Sequence, residues 1–84
     1  MLACVSCKVF MRPAKVGAEI VEMTEGHEGE VVPYQLWSSD MLECPSCGAK
    51  VCMIMPTQHP IMQHHEKGFT ERIESVDLHV GHAH

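Results

Sequence analysis

Aromatic side chains are scarce in this chain. Tyr34, Trp37, Phe10 and Phe69 are the whole supply in 84 residues, so few large groups are on hand to build a core. Part of the filling falls to seven methionines, whose flexible thioethers fit irregular gaps. Long apolar runs are missing as well. The longest, residues 51–55, falls far short of the roughly 20 residues a membrane-spanning helix needs, and Met1-Leu2-Ala3-Cys4 has neither the basic nor the apolar region of a secretory leader. The reading is therefore a soluble, cytoplasmic protein with no membrane partner. Basic residues are also few. Six Lys and Arg stand against eleven Asp and Glu, a formal net charge of −5, which excludes long-range attraction to a polyanion.

The charge that is present is unevenly spread. Lys8, Arg12 and Lys15 fall in a stretch without an acid, whereas residues 16–49 hold Glu19, Glu22, Glu25, Glu28, Glu30, Asp40 and Glu43 and no base. Any nucleic-acid contact would have to be local to that short basic stretch. His27 lies among Glu25, Glu28 and Glu30, where a transient cation site is conceivable, but such a run is ordinarily a solvated loop.

A chain of this length makes one domain, and a domain so small buries only about 60% of the surface its unfolded form exposes. Its core alone leaves it marginal, and small domains in that position commonly use a metal or a disulfide. Five cysteines are present, four of them in two C-x-x-C pairs: Cys4-Val5-Ser6-Cys7 and Cys44-Pro45-Ser46-Cys47-Gly48. Disulfides are disfavoured in a reducing cell interior. A thioredoxin-type redox motif would need a helix after the second cysteine, where residues 48–55 read as a turn and then a strand. The remaining reading is a tetrahedral site made by Cys4, Cys7, Cys44 and Cys47, each short turn aiming two thiolates at one point. Pro45 pre-sets φ and Gly48 permits a left-handed residue, both suited to such a turn. Zinc, one ion per chain, is the expected cofactor, and folding and metal binding would then be one event. Cys52 is left over inside an apolar run and reads as a buried, inert thiol.

Between the pairs lie 36 residues, more than the commonest four-cysteine spacing, so an elaborated hairpin must fill the interval. The pattern is mostly β. Residues 5–11 read as a strand, 12–17 as a turn containing Pro13 and Gly17, 18–23 as the returning strand and 24–30 as a mobile acidic loop. Residues 31–37 form a third strand that Pro33 demotes toward an edge, leaving open a homodimer through that edge. Residues 38–40 read as a turn and 51–55 as a central strand. After Pro56 a short helix is expected between Pro60 and Lys67, with Gly68 past its end. Residues 69–80 fit either period, with a lean toward strand, and the final residues 81–84 should fray. The expected organisation is a metal-binding domain over residues 1–55 and an extension over 56–84 that packs on it or is partly flexible.

Cys4-x-x-Cys7 with Cys44-Pro45-x-Cys47-Gly48 resembles the zinc ribbon, in which two knuckles on β-hairpins clamp one ion. More narrowly, Pro33-Tyr34-Gln35-Leu36-Trp37-Ser38-Ser39-Asp40 running into the second pair resembles small zinc-ribbon proteins of phages and bacteria that carry no assigned activity. Leu42 stands where that pattern usually has an aromatic residue. The match covers residues 4 to about 55 and implies a fold and a metal, not a reaction.

Three functional readings follow. The first is an accessory module with a purely structural zinc, meeting a protein or nucleic acid through the basic first hairpin or the strand carrying Tyr34 and Trp37; zinc ribbons that this chain resembles often dock in transcription and translation machinery. The second is an iron electron carrier, since rubredoxins use two C-x-x-C knuckles of which the second is Cys-Pro-x-Cys-Gly; they carry glycine after the first knuckle, where this chain has Lys8. The third is a catalytic or second metal site built on His59, His64, His65, His79, His82 or His84, none of which forms an H-E-x-x-H arrangement. Neighbouring His64 and His65 could not both face one ion from a regular helix, and His82 and His84 could chelate only adventitiously. Four thiolates leave zinc no open position for water, so the expectation is no catalytic residue and no small-molecule substrate.

Overall fold

The computed structural model describes residues 1–82 and is dominated by one long antiparallel hairpin. Strands β1 (Ala3–Cys4) and β2 (Val9–Phe10) form a small hairpin of their own, with Ala3 opposite Phe10 and Cys4 opposite Val9. The chain continues into β3 (Arg12–Glu25), turns, and returns as β4 (Val31–Glu43). Strands β5 (Lys50–Cys52) and β6 (Met62–Gln63), helix α1 (Phe69–Arg72), a 3-10 turn over Ile73–Ser75, and β7 (Leu78–Val80) complete it. The main sheet runs β5-β4-β3-β7, with β6 also paired to β4 and β7 parallel to β3.

Packing follows from register. Val21 faces Leu36 across the hairpin, and both are wholly buried. Phe69 and Ile73, four residues apart and so on one helical face, close over that pair, with Met23, Met62 and Val76 around them. Burying side chains of this size contributes about 1.5–3 kcal/mol each. On the opposite face Ile20 lies across from Trp37, because successive residues of a strand point to opposite sides. The segment after residue 55 thus supplies half of the buried core cluster, Phe69 and Ile73. Polar contacts then set its register: Asp77 accepts from the Glu19 amide at 2.8 Å and from Lys15 Nζ at 2.5 Å, its own amide donates to the Glu19 carbonyl at 3.0 Å, and Arg72 pairs with the Glu19 carboxylate. These ion pairs are partly solvent-exposed, and screening makes them minor beside the burial of Phe69.

Several sequence expectations are corrected. Residues 12–17 do not turn; they begin β3, and the irregularity promised by Pro13 and Gly17 is taken up by register shifts between Pro13 and Lys15 and between Lys15 and Ala18. Ser38, Ser39 and Asp40 likewise sit inside β4, with Ser38 and Ser39 opposite Glu19 and Ala18. The strand of residues 31–37 is interior only in part: Leu36 is paired with Val21 on one side and Met62 on the other, and the Tyr34 carbonyl accepts from the His64 amide at 2.8 Å, whereas Val31, Val32 and Pro33 pair with β3 alone among the described residues. Pro33 is accommodated at a bulge, where the register jumps from Glu22–Gln35 to Met23–Pro33 and leaves Tyr34 unpaired.

The strand expected to be central, residues 51–55, shortens to β5 at the sheet edge, leaving Val51, Met53 and Met55 exposed. No helix forms between Pro60 and Lys67; that stretch contains β6, and Gly68, expected past a helix end, is instead the N-cap of α1 at φ 88°. The two periods seen in residues 69–80 are both real and occur in succession, helical at Phe69 and Ile73 and extended at Leu78 and Val80. The acidic turn at residues 26–30 is tied internally by Gly26 N–H to Glu30 C=O at 2.6 Å and Glu28 N–H to Glu30 Oε2 at 2.9 Å. Of the expected frayed end, Ala83 and His84 lie outside the described residues.

Candidate metal centre

Two turns of the same build bring the four cysteines together. In the first, Cys4 ends β1, Val5 to Lys8 turn, and the Lys8 amide donates to the Cys4 carbonyl at 2.7 Å. In the second, Cys44 follows β4, Pro45 to Cys47 turn, and the Gly48 amide donates to the Cys44 carbonyl at 2.9 Å. Each turn places a left-handed residue directly after its second cysteine, Lys8 at φ 59° and Gly48 at φ 79°. Glycine takes that conformation without penalty, whereas a residue with a Cβ does not. Lys8 is the one non-glycine residue with positive φ among the described residues. It therefore adopts what a glycine would supply, and its presence does not prevent the first turn from matching the second.

One sulfur from each of Cys4, Cys7, Cys44 and Cys47 lies within 4.8 Å of every other, and Cys4 Sγ is 3.9 Å from Cys47 Sγ. A tetrahedron with metal–sulfur bonds of about 2.3 Å has sulfur–sulfur edges of ~3.8 Å; the Cys4–Cys47 separation matches one such edge, and the cluster as a whole is compact enough to be compatible with a metal ion. The second turn also stabilises negative charge on sulfur: the Ser46 and Cys47 amides donate to Cys44 Sγ at 3.4 and 3.5 Å. The Cys47 amide chiefly, against a burial cost and with help from Ser46, draws the Cys44 thiol down to about 6. Cys7 moves the other way, pushed up to about 12 first by its hydrogen bond to Cys47 and then by that to Cys44. Four clustered thiols cannot all ionise without a cation to offset them, and a divalent ion is the species that permits it.

Cys52 stays outside this cluster. It is half-buried, and desolvation, followed by the nearby Asp77 carboxylate, raises its pKa. Among the described residues no histidine joins the cluster either. His64 stacks on Tyr34 with ring centroids 4.9 Å apart, His65 meets His64 edge-on at 5.4 Å, and His82 Nε2 lies 2.9 Å from Glu22 Oε2. Glu22 also accepts the Trp37 indole N–H at 2.9 Å. Burial raises the Glu22 pKa, but the His82 and Trp37 hydrogen bonds outweigh it and hold the carboxyl below its usual value. Sequence reasoning missed this network because the facing of Glu22 and Trp37 depends on register, which bulges in β3 and β4 make unreadable from spacing.

The basic stretch is largely neutralised within the fold. Arg12 Nε lies 3.2 Å from Glu43 Oε1 and Lys15 is paired with Asp77, so two of the three bases seen near the start already have acidic partners. No helix among the described residues is long and apolar enough to cross a membrane.

Fold and site together define a small mostly-β chain with one short helix and a four-cysteine cluster compatible with metal stabilisation. The chain matches no protein-family model, no curated protein and no solved structure.

Proposed function

We propose that this chain is a zinc-ribbon module in which Cys4, Cys7, Cys44 and Cys47 hold one structural zinc ion, and that it acts as a non-catalytic accessory protein. The observation that carries the proposal is the convergence of four sulfurs from two turns of matched hydrogen bonding and matched left-handed residues. Zinc suits this donor set because it takes four thiolates tetrahedrally and is closed to water when it does. When bound, the ion would supply folding energy and no reaction step. The modest core supports that role: among the described residues the buried apolar side chains are Ala18, Ile20, Val21, Leu36, Cys44, Phe69 and Ile73.

A protein partner is favoured over a nucleic acid. Zinc with four thiolates brings the formal charge from −5 to about −7, and the Arg12 and Lys15 charges are internally paired. The exposed apolar side chains Phe10, Val51, Met53, Met55 and Ile61 offer contact area suited to a protein surface. A cytoplasmic setting is part of the proposal, since free thiols in pairs persist there.

A second reading is retained for one reason: the same four-sulfur donor set accepts iron, and Lys8, at the place where rubredoxins carry glycine, takes the left-handed conformation that glycine favours. Anaerobic purification separates the two readings. A colourless protein carrying one zinc supports the ribbon module; a red protein carrying iron supports an electron carrier.

A further inference from the structure

On the sheet face opposite the Leu36 core, a half-open groove of about 270 Å³ is walled by Ile20, Trp37, Cys52, Ile54 and Val80 and carries one carboxylate, Glu22. Cavities of a few hundred Å³ with apolar walls and a single convergent polar group are the usual form of small-ligand sites. The polar group here is set in place. Trp37 Nε1 holds Glu22 Oε1 at 2.9 Å, which fixes the carboxylate plane. The other oxygen, Oε2, is met at 2.9 Å by the imidazole of His82, a side chain that is 70% exposed and enters from the end of the described chain. An exposed imidazole already occupies the position that an external cation would take.

We propose that this groove binds small organic cations with an apolar body, such as aryl-alkyl ammonium compounds, with Glu22 accepting the ammonium and Ile20, Ile54 and the Trp37 ring covering the hydrocarbon. His82 acts as an internal plug that a ligand displaces from Oε2. The chemistry selects the charge: an anion would face Glu22, and a neutral ligand that displaced His82 would leave Oε2 without a charged partner in a partly apolar setting. The site is independent of the metal reading, since none of the groups named is a member of the four-cysteine cluster.

The test uses the full chain as purified and follows the Trp37 indole N–H by NMR during titration with phenethylammonium, the single tryptophan making the signal unambiguous. The expected result is a saturable shift in the millimolar range or tighter. His82→Ala should tighten binding severalfold by removing the competitor, and it removes an exposed side chain without touching the core. Glu22→Gln should weaken binding by at least about tenfold, the scale of a lost charge-assisted hydrogen bond. The neutral isostere 2-phenylethanol should bind at least as poorly to the wild-type chain. No saturable shift in either wild type or His82→Ala overturns the proposal. So does an equal response to the alcohol and the ammonium, which would make the groove merely apolar, or a loss of binding in His82→Ala, which would make His82 part of a different site.

Discussion

Replacing Gly48 by alanine and Lys8 by glycine should move stability in opposite directions, although the two residues occupy equivalent places after their cysteine pairs. Gly48 sits at φ 79° with no atom beyond its own chain neighbours within 4 Å of where a Cβ would be, so Gly48→Ala meets no steric obstacle outside the local backbone. Its cost is then the left-handed penalty alone, roughly 1–2 kcal/mol, offset by about 0.4–1 kcal/mol from the stiffer unfolded chain. A net loss of about 1 kcal/mol remains. Lys8 at φ 59° bears the same penalty in the native protein, and it makes no ion pair among the described residues. Lys8→Gly should therefore gain about 0.5–1 kcal/mol by the reverse arithmetic. If folding and metal binding are coupled, these changes appear in apparent metal affinity: 1 kcal/mol is about fivefold in a dissociation constant. Competition against a calibrated zinc chelator measures both. The reasoning is refuted if Gly48→Ala binds zinc as tightly as the natural chain, or if Lys8→Gly binds it more weakly.

Further expectations concern the core, the acid limb and the partner. Phe69→Ala should cost about 3–5 kcal/mol, because Phe69 is 5% exposed and packs on Val21 and Leu36; an unchanged thermal midpoint would mean the segment after residue 55 is dispensable to the fold. Asp77 is held below its ordinary 3.8 by the Lys15 hydrogen bond first and the Glu19 amide second. A depressed carboxyl contributes stability that is complete above the unfolded value and is lost as pH falls through the folded one. The stability difference between the natural chain and Asp77→Asn, from urea midpoints, should thus be largest above pH ~5 and shrink below the ordinary carboxyl value, metal loss being common to both proteins. A difference that grows on acidification would contradict the assigned geometry. Fluorescence anisotropy with labelled single- and double-stranded DNA should show no binding at micromolar protein and about 0.15 M salt; micromolar affinity would overturn the preference for a protein partner.

The cysteine pairs and the turn chemistry of Pro45 and Gly48 were legible because a tight turn is a local object: four or five consecutive residues determine it. Most of the β-strand content was legible for a similar reason, through period-two runs. What failed was punctuation. Pro13, Gly17, Pro33 and the polar run Ser38 to Asp40 are turn-formers by composition, yet β3 and β4 carry them through, the first three at or beside register shifts and Ser38 and Ser39 in regular pairing, since the gain from pairing two long strands exceeds the local preference. Interior against edge position was also unreadable. It depends on β6, whose two residues look like nothing in isolation but cover Gln35 and Leu36. Gly68 shows the same limit, because a left-handed glycine serves either end of a helix and only the packing of Phe69 and Ile73 decides which. The Glu22–Trp37–His82 network joins residues up to 60 positions apart, and no spacing rule connects them.

The measurement closest to the central claim is native mass spectrometry of the untagged chain, purified without added metal and compared with its denatured mass. The account predicts one zinc ion per chain with four protons displaced, and loss of that ion in Cys44→Ser. A chain that is folded and metal-free, or one that retains its zinc after Cys44→Ser, would contradict it.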